Sequence, residues 1–156
     1  MVGAKILQKY SLFGGLTEEQ IEQIIPLMED EHYSPGTIII PEGTPNDKIL
    51  FLLEGKVSII KGKTIIYDLA EGNTFGEMEI LDVMPSAATV KAVTDVTAIS
   101  ISNKSFHEIY KNDIQSFSLL LMNLARDVSR RLRVANEIMV DGKVFNLYSA
   151  ALFTNN

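Results

Sequence analysis

Short apolar runs separated by glycine-containing turns fill the middle of the chain, from Tyr33 to Ile101. The runs are residues 37–40, 49–53, 57–60, 64–69, 89–93 and 96–101. Turn signals such as Ser34-Pro35-Gly36 and Lys61-Gly62-Lys63 lie between them. Short β-rich runs at regular spacing are typical of all-β sandwiches and barrels. The pattern therefore predicts an antiparallel β-barrel or β-roll, over about residues 33–101.

Helical patterns flank this region on both sides. Thr17 and Gln20 have the spacing of a capping box, and apolar residues then recur at helical spacing, so a helix is predicted near residues 17–29. Pro26 should kink or shorten it, because proline removes a backbone donor and clashes with the preceding turn. After the last β-run, Ser102 or Asn103 can cap a short helix that extends to about residue 110.

A long helix is predicted from about residue 116 to residue 139. Six residues along it are spaced 4-3-4-3-4 and form what we call the heptad seam: Leu121, Ala125, Val128, Leu132, Ala135 and Met139. Such a seam can pack against a partner helix, which would make a dimer, or against the β-roll of the same chain. The spacing alone leaves both arrangements open. An apolar tail follows, over residues 141–156.

Composition and charge exclude several classes of protein. The chain has 156 residues and no cysteine, which excludes disulfides, thiolate metal sites and a cysteine nucleophile. Residues 1–115 carry a formal charge of −8, whereas residues 116–156 carry +2 and all four arginines. Binding to nucleic-acid backbones needs a basic face. We therefore expect no direct DNA binding.

Several further signals are missing from the sequence. No apolar run approaches the ~20 residues of a membrane helix, and no secretory signal is visible, so we expect a cytoplasmic protein without a membrane span. His32, placed before the first strand, and His107, in the short helix, have no partners at ligand spacing, so no metal site is predicted. Without a nucleotide-binding glycine loop or a nucleophile elbow, we expect no enzyme activity.

Residues 72–90 differ from a simple hairpin. Gly76 is followed by Glu77, and residues 78–83 can form a helical turn before Pro85. A helix that opens after Gly76 points backbone N–H groups outward and can bind an anion. The small residues Ala87 and Ala88 would let a ligand approach the backbone, and Glu77 can accept a hydrogen bond from a sugar hydroxyl.

In this segment the chain resembles the cyclic-nucleotide-binding domain family, which includes the sensor domains of the catabolite activator protein, kinase A regulatory subunits and cyclic-nucleotide-gated channels. The family's phosphate-binding cassette reads F-G-E-[LM]-A-L-[LI], followed by P-R-[ST]-A-T-[VI]. The matching residues are Phe75, Gly76, Glu77, Met78, Ile80 and Leu81, then Pro85, Ala88, Thr89 and Val90. Further matches are residues 33–39, Glu42-Gly43, and Leu52, Glu54, Gly55 and Val57.

The resemblance implies a fold and a function. The fold is an eight-stranded, jelly-roll-like antiparallel β-roll with flanking helices and a long C-terminal helix that often dimerises, which favours the partner-helix interpretation of the heptad seam. It would occupy residues 1–140. The implied ligand is cAMP or cGMP, with no cofactor required. The implied ligand-binding residues are Phe75, Gly76, Glu77, Met78, Ser86, Ala87, Ala88, Thr89 and, on the long helix after the matching Arg130-Arg131-Leu132, Asn136.

The departure from the family lies where the ligand's charge would bind. Ser86 stands in the position of the arginine that pairs with the cyclic phosphate, and Ala87 stands in that of the following hydroxyl. Removing one partner of a buried charge pair costs roughly 2–5 kcal/mol. A helix N-terminus returns only about 0.3–1 kcal/mol. Backbone amides, the Ser86 hydroxyl and Lys91 or a helix arginine would have to compensate.

Three functions remain open at this point. The domain can bind a cyclic nucleotide and transmit a population shift to an unidentified protein partner. It can bind a different or uncharged ligand. It can also be a degenerate member of the family that acts as a ligand-independent oligomerisation or interaction module, in which Glu77 only caps a helix. About seventeen residues follow Met139, fewer than a helix-turn-helix domain needs, so we expect none.

Overall fold

The computed structural model describes residues 2–141, and the apolar tail predicted beyond residue 141 lies outside the described residues. The helices are α1 (Ala4–Leu7), α2 (Glu18–Ile24), α3 (Glu77–Asp82), α4 (Asn103–Asn112) and α5 (Ile114–Asp141). The strands are β1 (Glu29–Tyr33), β2 (Ile38–Ile40), β3 (Lys48–Glu54), β4 (Lys56–Lys61), β5 (Thr64–Ala70), β6 (Thr74–Phe75), β7 (Thr89–Ala92) and β8 (Val96–Ser102). Among these described residues, 2–123 and 124–141 belong to two compact units.

The eight strands form two four-stranded sheets in the first unit. Their orders are β1-β8-β3-β6 and β2-β7-β4-β5, and every pair is antiparallel. The register places Leu50 opposite Phe75 in one sheet and Ile59 opposite Val90 in the other. The predicted antiparallel β-roll with flanking helices is therefore confirmed.

The interior of the roll is an apolar core to which both sheets contribute. Its buried members are Ile40, Leu50, Leu52, Val57, Ile59, Leu69, Phe75, Val90, Ala92, Val96 and Ala98. Successive side chains of a strand point to opposite faces, so Leu50 and Leu52 fill this core while Ile49 and Phe51 point away from it. Ile49 and Phe51 are also buried. Strand β3 is thus covered on both faces, which explains its unbroken apolar sequence.

The N-terminal segment covers the outer face of β3. Tyr10 and Phe13 make edge-to-face contacts with Phe51, at ring-centroid distances of 5.0 and 5.6 Å. Asn123, at the end of the first unit, donates from Nδ2 to the carbonyl oxygens of Leu12 and Gly14, both at 2.9 Å. Aromatic packing and this buried amide hold the segment against the roll.

Helix α2 confirms the predicted capping box and corrects the predicted length. The Thr17 hydroxyl accepts from the Gln20 amide, and the Gln20 side chain accepts from the Thr17 amide. The helix ends at Ile24 rather than near residue 29, and a 3-10 turn over Ile25–Leu27 contains Pro26. Proline cannot supply the next α-helical hydrogen bond, so the helix tightens and stops.

Strand β1 corrects the predicted start of the roll. The roll begins at Glu29 instead of near residue 33, so His32 lies within the first strand rather than before it. The sequence Glu-Asp-Glu-His-Tyr has no apolar alternation because β1 is an edge strand paired only with β8. Edge strands commonly carry charged residues. For this reason the pattern of apolar residues did not indicate the strand.

The C-terminal helices lie close to their predicted positions. The Ser102 hydroxyl caps α4 by accepting from the Ser105 amide at 3.0 Å. Helix α5 is two residues longer at each end than the predicted 116–139. Between residues 2 and 141, no helix is both long and apolar enough to cross a membrane. The same residues contain no cluster of three acidic or histidine side chains that could hold a metal ion.

Candidate functional site

Residues 74–89, which we call the cassette, begin with strand β6, which pairs with β3. In β6, Phe75 lies opposite Leu50 and contributes to the interior core. The chain then turns at Gly76, which has a φ of +80° and caps α3. The Asn46 amide clips this turn to the start of β3, because its Nδ2 donates to the Lys48 carbonyl at 2.7 Å and to the Gly76 carbonyl at 3.1 Å.

Only glycine fits at position 76. A Cβ built there would lie 2.8 Å from Asn46 Nδ2 and 2.8 Å from the Lys48 carbonyl oxygen. Its positive φ is also a conformation that residues with a side chain rarely adopt. The glycine of the F-G-E motif is therefore required by both the turn and the close approach of β3.

Helix α3 follows as predicted and places a carboxylate inside the protein. Glu77 is 3% exposed, and its Oε2 atom is inaccessible to solvent. Glutamate is almost never buried to this extent in folded proteins. Met78, the next predicted site residue, is exposed. The two neighbours thus differ: Glu77 is buried and Met78 is exposed to solvent.

Residues 85–89, which we call the return segment, lead back to the roll and are held chiefly through Ser86. The Ser86 amide donates to the Thr44 carbonyl at 2.9 Å, and its carbonyl accepts from the Gly43 amide at 2.8 Å. Its hydroxyl donates to the Ala88 carbonyl at 2.7 Å. All three polar groups of Ser86 thus bind protein atoms, and the residue is 4% exposed. The hydroxyl would have to rotate to donate to a ligand.

The remaining residues of the return segment are more accessible. Ala87 is exposed, and Ala88 and Thr89 are half-buried. The Thr89 hydroxyl accepts from the Glu42 amide at 3.0 Å. Both alanine side chains are small, and the carbonyl oxygens of Ala87 and Ala88 accept hydrogen bonds from Lys61 Nζ and the Ser86 hydroxyl.

A lysine from the β4–β5 hairpin contacts the return segment. Lys61 Nζ lies 2.7 Å from the Ala87 carbonyl oxygen and 2.6 Å from Glu42 Oε1. Glu42 Oε2 accepts from the Gly62 amide at 2.9 Å. The Lys61 hydrogen bond, followed by that from Gly62, lowers the pKa of Glu42 below its usual 4.5. Three stretches of the chain therefore meet at one ion pair.

Lys91 points away from the roll interior. Its neighbours Val90 and Ala92 belong to the interior core, so strand alternation places Lys91 on the outer face of β7. It lies opposite Ser58, whose hydroxyl donates to Asp68 at 2.6 Å. The structure does not direct this lysine toward the interior, where the predicted assistance to a phosphate would place it.

A second polar cluster surrounds Glu31 on the sheet that contains β1, β8, β3 and β6. Burial raises the pKa of Glu31, but hydrogen bonds from Lys48, Ser100 and Tyr33 outweigh it and leave the pKa lowered. Burial and this carboxylate together raise the pKa of Tyr33 far above its usual value. The cluster joins β1, β3 and β8 across one sheet, so we interpret it as structural.

The heptad seam is accessible along α5. Leu121, Ala125 and Leu132 are exposed, and Val128, Ala135 and Met139 are half-buried. The seam is therefore open to a partner helix. Asn136, the predicted base contact, lies in the second unit with an exposed side chain.

One arginine of α5 pairs with an acidic residue of the same helix. Arg130 forms an ion pair with Asp127, one helical turn earlier. A neighbouring acid on the helix itself thus offsets the charge of this arginine.

Comparison with known proteins identifies the family to which the chain belongs. Residues 30–113, more than half of the chain, match the family described as the cyclic nucleotide-binding domain. This chain belongs to that family. The match spans β1 to the end of α4 and includes the whole cassette. The family is one of ligand-binding, regulatory domains.

A curated protein with a known name is similar to most of this chain. Human cGMP-dependent protein kinase 2 is 29% identical over 123 residues, which cover 79% of this chain and 16% of the kinase. The chain thus spans only a small part of that relative's length.

Among solved structures, a cyclic nucleotide-binding domain from Methylobacillus flagellatus KT has a TM-score of 0.82 and 23% identity, with 89% of this chain and 81% of that chain covered. That likeness shows the fold. The catabolite activator protein of Thermus thermophilus has a TM-score of 0.72 and 26% identity, with 86% and 63% covered.

Three residues that hold the cassette in place are not indicated as site residues by the sequence patterns. Asn46 and Lys61 carried no signal, because a lone amide in a loop and a lysine beside a turn are common surface residues. Glu42 is indicated only through the match of Glu42-Gly43 to the family pattern. Their contacts join positions that lie 26 and 30 residues apart in the chain, which local patterns do not reveal.

Proposed function

We propose that this domain is a non-catalytic sensor that binds a cyclic mononucleotide, cAMP or cGMP, in the cassette. Glu77 would accept a hydrogen bond from the ribose hydroxyl. The backbone of Gly76, Met78, Ala87 and Ala88 would approach the cyclic phosphate. Phe75, Ser86 and Thr89 would shape the site around it. Asn136 stays a predicted contact to the base.

The observation that carries this proposal is the burial of the Glu77 carboxylate at the start of α3. A buried charge is costly unless the protein or a ligand uses it. This glutamate stands in the family's motif, beside a glycine that the close approach of β3 requires. A residue that merely capped a helix would gain as much at the surface, where solvation is retained.

Calorimetric titration of protein refolded from denaturant, and thereby freed of any co-purified ligand, tests the proposal with cAMP and cGMP. We expect micromolar to millimolar dissociation constants for at least one of the two. Glu77→Gln should weaken that binding at least tenfold, equivalent to about 1.4 kcal/mol, because the amide is a poorer acceptor from the ribose.

The matched control for this titration is Glu29→Gln. It removes the same charge from exposed β1, at the opposite edge of the sheet from β6, and should bind like the wild type. Absence of heat with either nucleotide from folded wild-type protein would reject the proposal.

The proposal extends to a homodimer formed through the heptad seam, because the seam is accessible. Burial of an accessible apolar seam in a partner helix would stabilise a dimer. Sedimentation equilibrium tests this extension with Leu132→Glu, on the seam and 52% exposed, and with Val134→Glu, off the seam and 55% exposed. Leu132→Glu should yield a monomer, and Val134→Glu should remain dimeric. A monomeric wild type would reject the dimer.

A ligand-independent interaction module is the second candidate. The hydrogen bonds of Ser86 to protein atoms favour it. The residue at the family's arginine position carries no charge, and its hydroxyl is bound within the protein. In this case the fold would serve to present α5 to a protein partner. A different or uncharged ligand is the third possibility, and the same titration, extended to neutral nucleosides, would identify it. We place each of these functions in the cytoplasm, without direct binding to DNA.

A further inference from the structure

The ammonium of Lys61 occupies a defined place behind the return segment. Its Nζ donates to the Ala87 carbonyl oxygen at 2.7 Å, and it is also held by Glu42. Glu42 is in turn anchored by the Gly62 amide, and its own amide by the Thr89 hydroxyl. The Ala87 carbonyl and the Glu42 carboxylate therefore hold the ammonium in place, although the lysine side chain is half-exposed.

The contact has a consequence for the next amide in the chain. In a trans peptide the carbonyl oxygen and the following N–H point in opposite directions. The Ala87–Ala88 peptide is trans, so an ammonium bound to the Ala87 oxygen leaves the Ala88 N–H pointing to the other side. Hydrogen bonds in series polarise one another, so a cation on the oxygen makes that N–H a stronger donor.

We propose that Lys61 is a positioning residue for the anionic group of the ligand, which orients and polarises the Ala87–Ala88 peptide in place of an arginine at position 86. The inference rests on the proposed function and adds that the same site selects ligands by the negative charge of their phosphate. The ligand class that it favours is a nucleotide with an ionised cyclic phosphate, rather than a neutral nucleoside.

Glu42 determines how this charge acts. The carboxylate holds Lys61 at the Ala87 oxygen and offsets much of its long-range field. The effect therefore passes through the peptide rather than through general attraction of anions. A free lysine would act at a distance and would lose its influence at high salt.

Calorimetric titration with two probes tests the inference: cAMP, and its uncharged methyl phosphotriester. In Lys61→Met, which keeps an unbranched side chain of nearly the same length, we expect about tenfold weaker binding of cAMP, the scale of one charge-assisted hydrogen bond. Binding of the triester should change less than twofold. Lys61→Arg should stay within about threefold of the wild type for both probes, because it retains the charge.

The matched control is Lys63→Met, which removes the same charge from the same hairpin, two residues away. It should bind both probes as the wild type does. Equal weakening of both probes by Lys61→Met would indicate a purely structural lysine, and equal effects of the two methionine variants would indicate general attraction. Either result overturns the inference while leaving the proposed function intact. A wild-type protein that binds neither probe would instead remove the proposed function itself.

Discussion

The cassette has two halves that are built differently: α3 with residues 83–84, and the return segment. Val83 in the first half and Ser86 in the second lie only three residues apart. Ser86 is nearly inaccessible, and its amide, carbonyl and hydroxyl all bind protein atoms. Val83 is 86% exposed and has a φ of +60°. Its neighbours Met78 and Met84 are exposed as well. One half is held to the roll by hydrogen bonds, and in the other half the apolar side chains that the structure describes, Met78, Leu81, Val83 and Met84, are exposed.

This difference indicates where a ligand would act. Segments with few buried apolar contacts open at low free-energy cost, whereas segments tied to a core open only with the whole domain. A ligand shifts a conformational equilibrium only by its differential affinity for the two states. We therefore expect the return segment to serve as a fixed platform, and α3 with residues 83–84 to move.

The largest expected effect comes from breaking the turn at Gly76, where α3 begins. Gly76→Ala should lower the free energy of unfolding by about 3 kcal/mol, from the positive φ and the clash with Asn46 and Lys48 together. Gly43→Ala is the control, because its φ of +77° is similar and a Cβ there meets nothing within 4 Å. It should cost only about 1 kcal/mol. Equal losses in urea denaturation would contradict the close packing at Gly76.

A smaller loss is expected from the fixed half. Ser86→Ala removes a buried hydroxyl and leaves the Ala88 carbonyl without that donor, at a cost of about 1.5 kcal/mol. Ser118→Ala removes a hydroxyl that donates to the Ile114 carbonyl at an exposed site, and it should change stability by less than about 0.5 kcal/mol. Thermal unfolding of both variants measures the difference. A harmless Ser86→Ala would mean that the return segment is not held in this way.

A gain is expected from the other half. Val83→Asn should raise the free energy of unfolding by about 1 kcal/mol, because asparagine tolerates the left-handed conformation and a β-branched residue does not. Val93→Asn is the control, an exposed valine outside the left-handed region. It should give no gain in urea denaturation with an unchanged m-value. Destabilisation by Val83→Asn would show that the exposed valine makes contacts that matter.

The smallest effect concerns the ion pair behind the return segment. The pKa of Glu42 is lowered in the folded protein, so its contribution is present above the unfolded value of 4.5 and is lost as the pH falls below it. Glu42→Gln should thus be slightly less stable than the wild type at pH 6. The difference should vanish toward pH 3 in unfolding measurements. A difference that grows on acidification would have the wrong sign for this ion pair.

The sequence predicts the roll and its helices because their signals are local. Apolar runs broken by glycine indicate strands β2 to β5, β7 and β8, and the capping box at Thr17 indicates α2. The strand β1 and the segment from α1 to Phe13 are not indicated, because they are stabilised by contacts with β8 and with Phe51. Tertiary packing here outweighs local propensity.

The candidate site is predictable in part for the same reason. The motif around Gly76 and Glu77 is contiguous, so it is recognisable in the sequence. The backbone hydrogen bonds of Ser86 are made with residues 43 and 44, and the ammonium that contacts the return segment belongs to Lys61 in another hairpin. Such contacts are set by strand register between distant segments, which the order of residues along the chain does not reveal.

Hydrogen exchange of the refolded protein, with and without excess cAMP, tests the central claim most directly. We expect the amides of residues 77–84 to exchange rapidly in the free protein and to slow when cAMP is added. The amides of Ser86, Val90 and Ala92 should be protected in both conditions. Identical exchange with and without cAMP, or slowing spread evenly over the roll, would contradict a nucleotide-binding cassette built from one fixed and one mobile half.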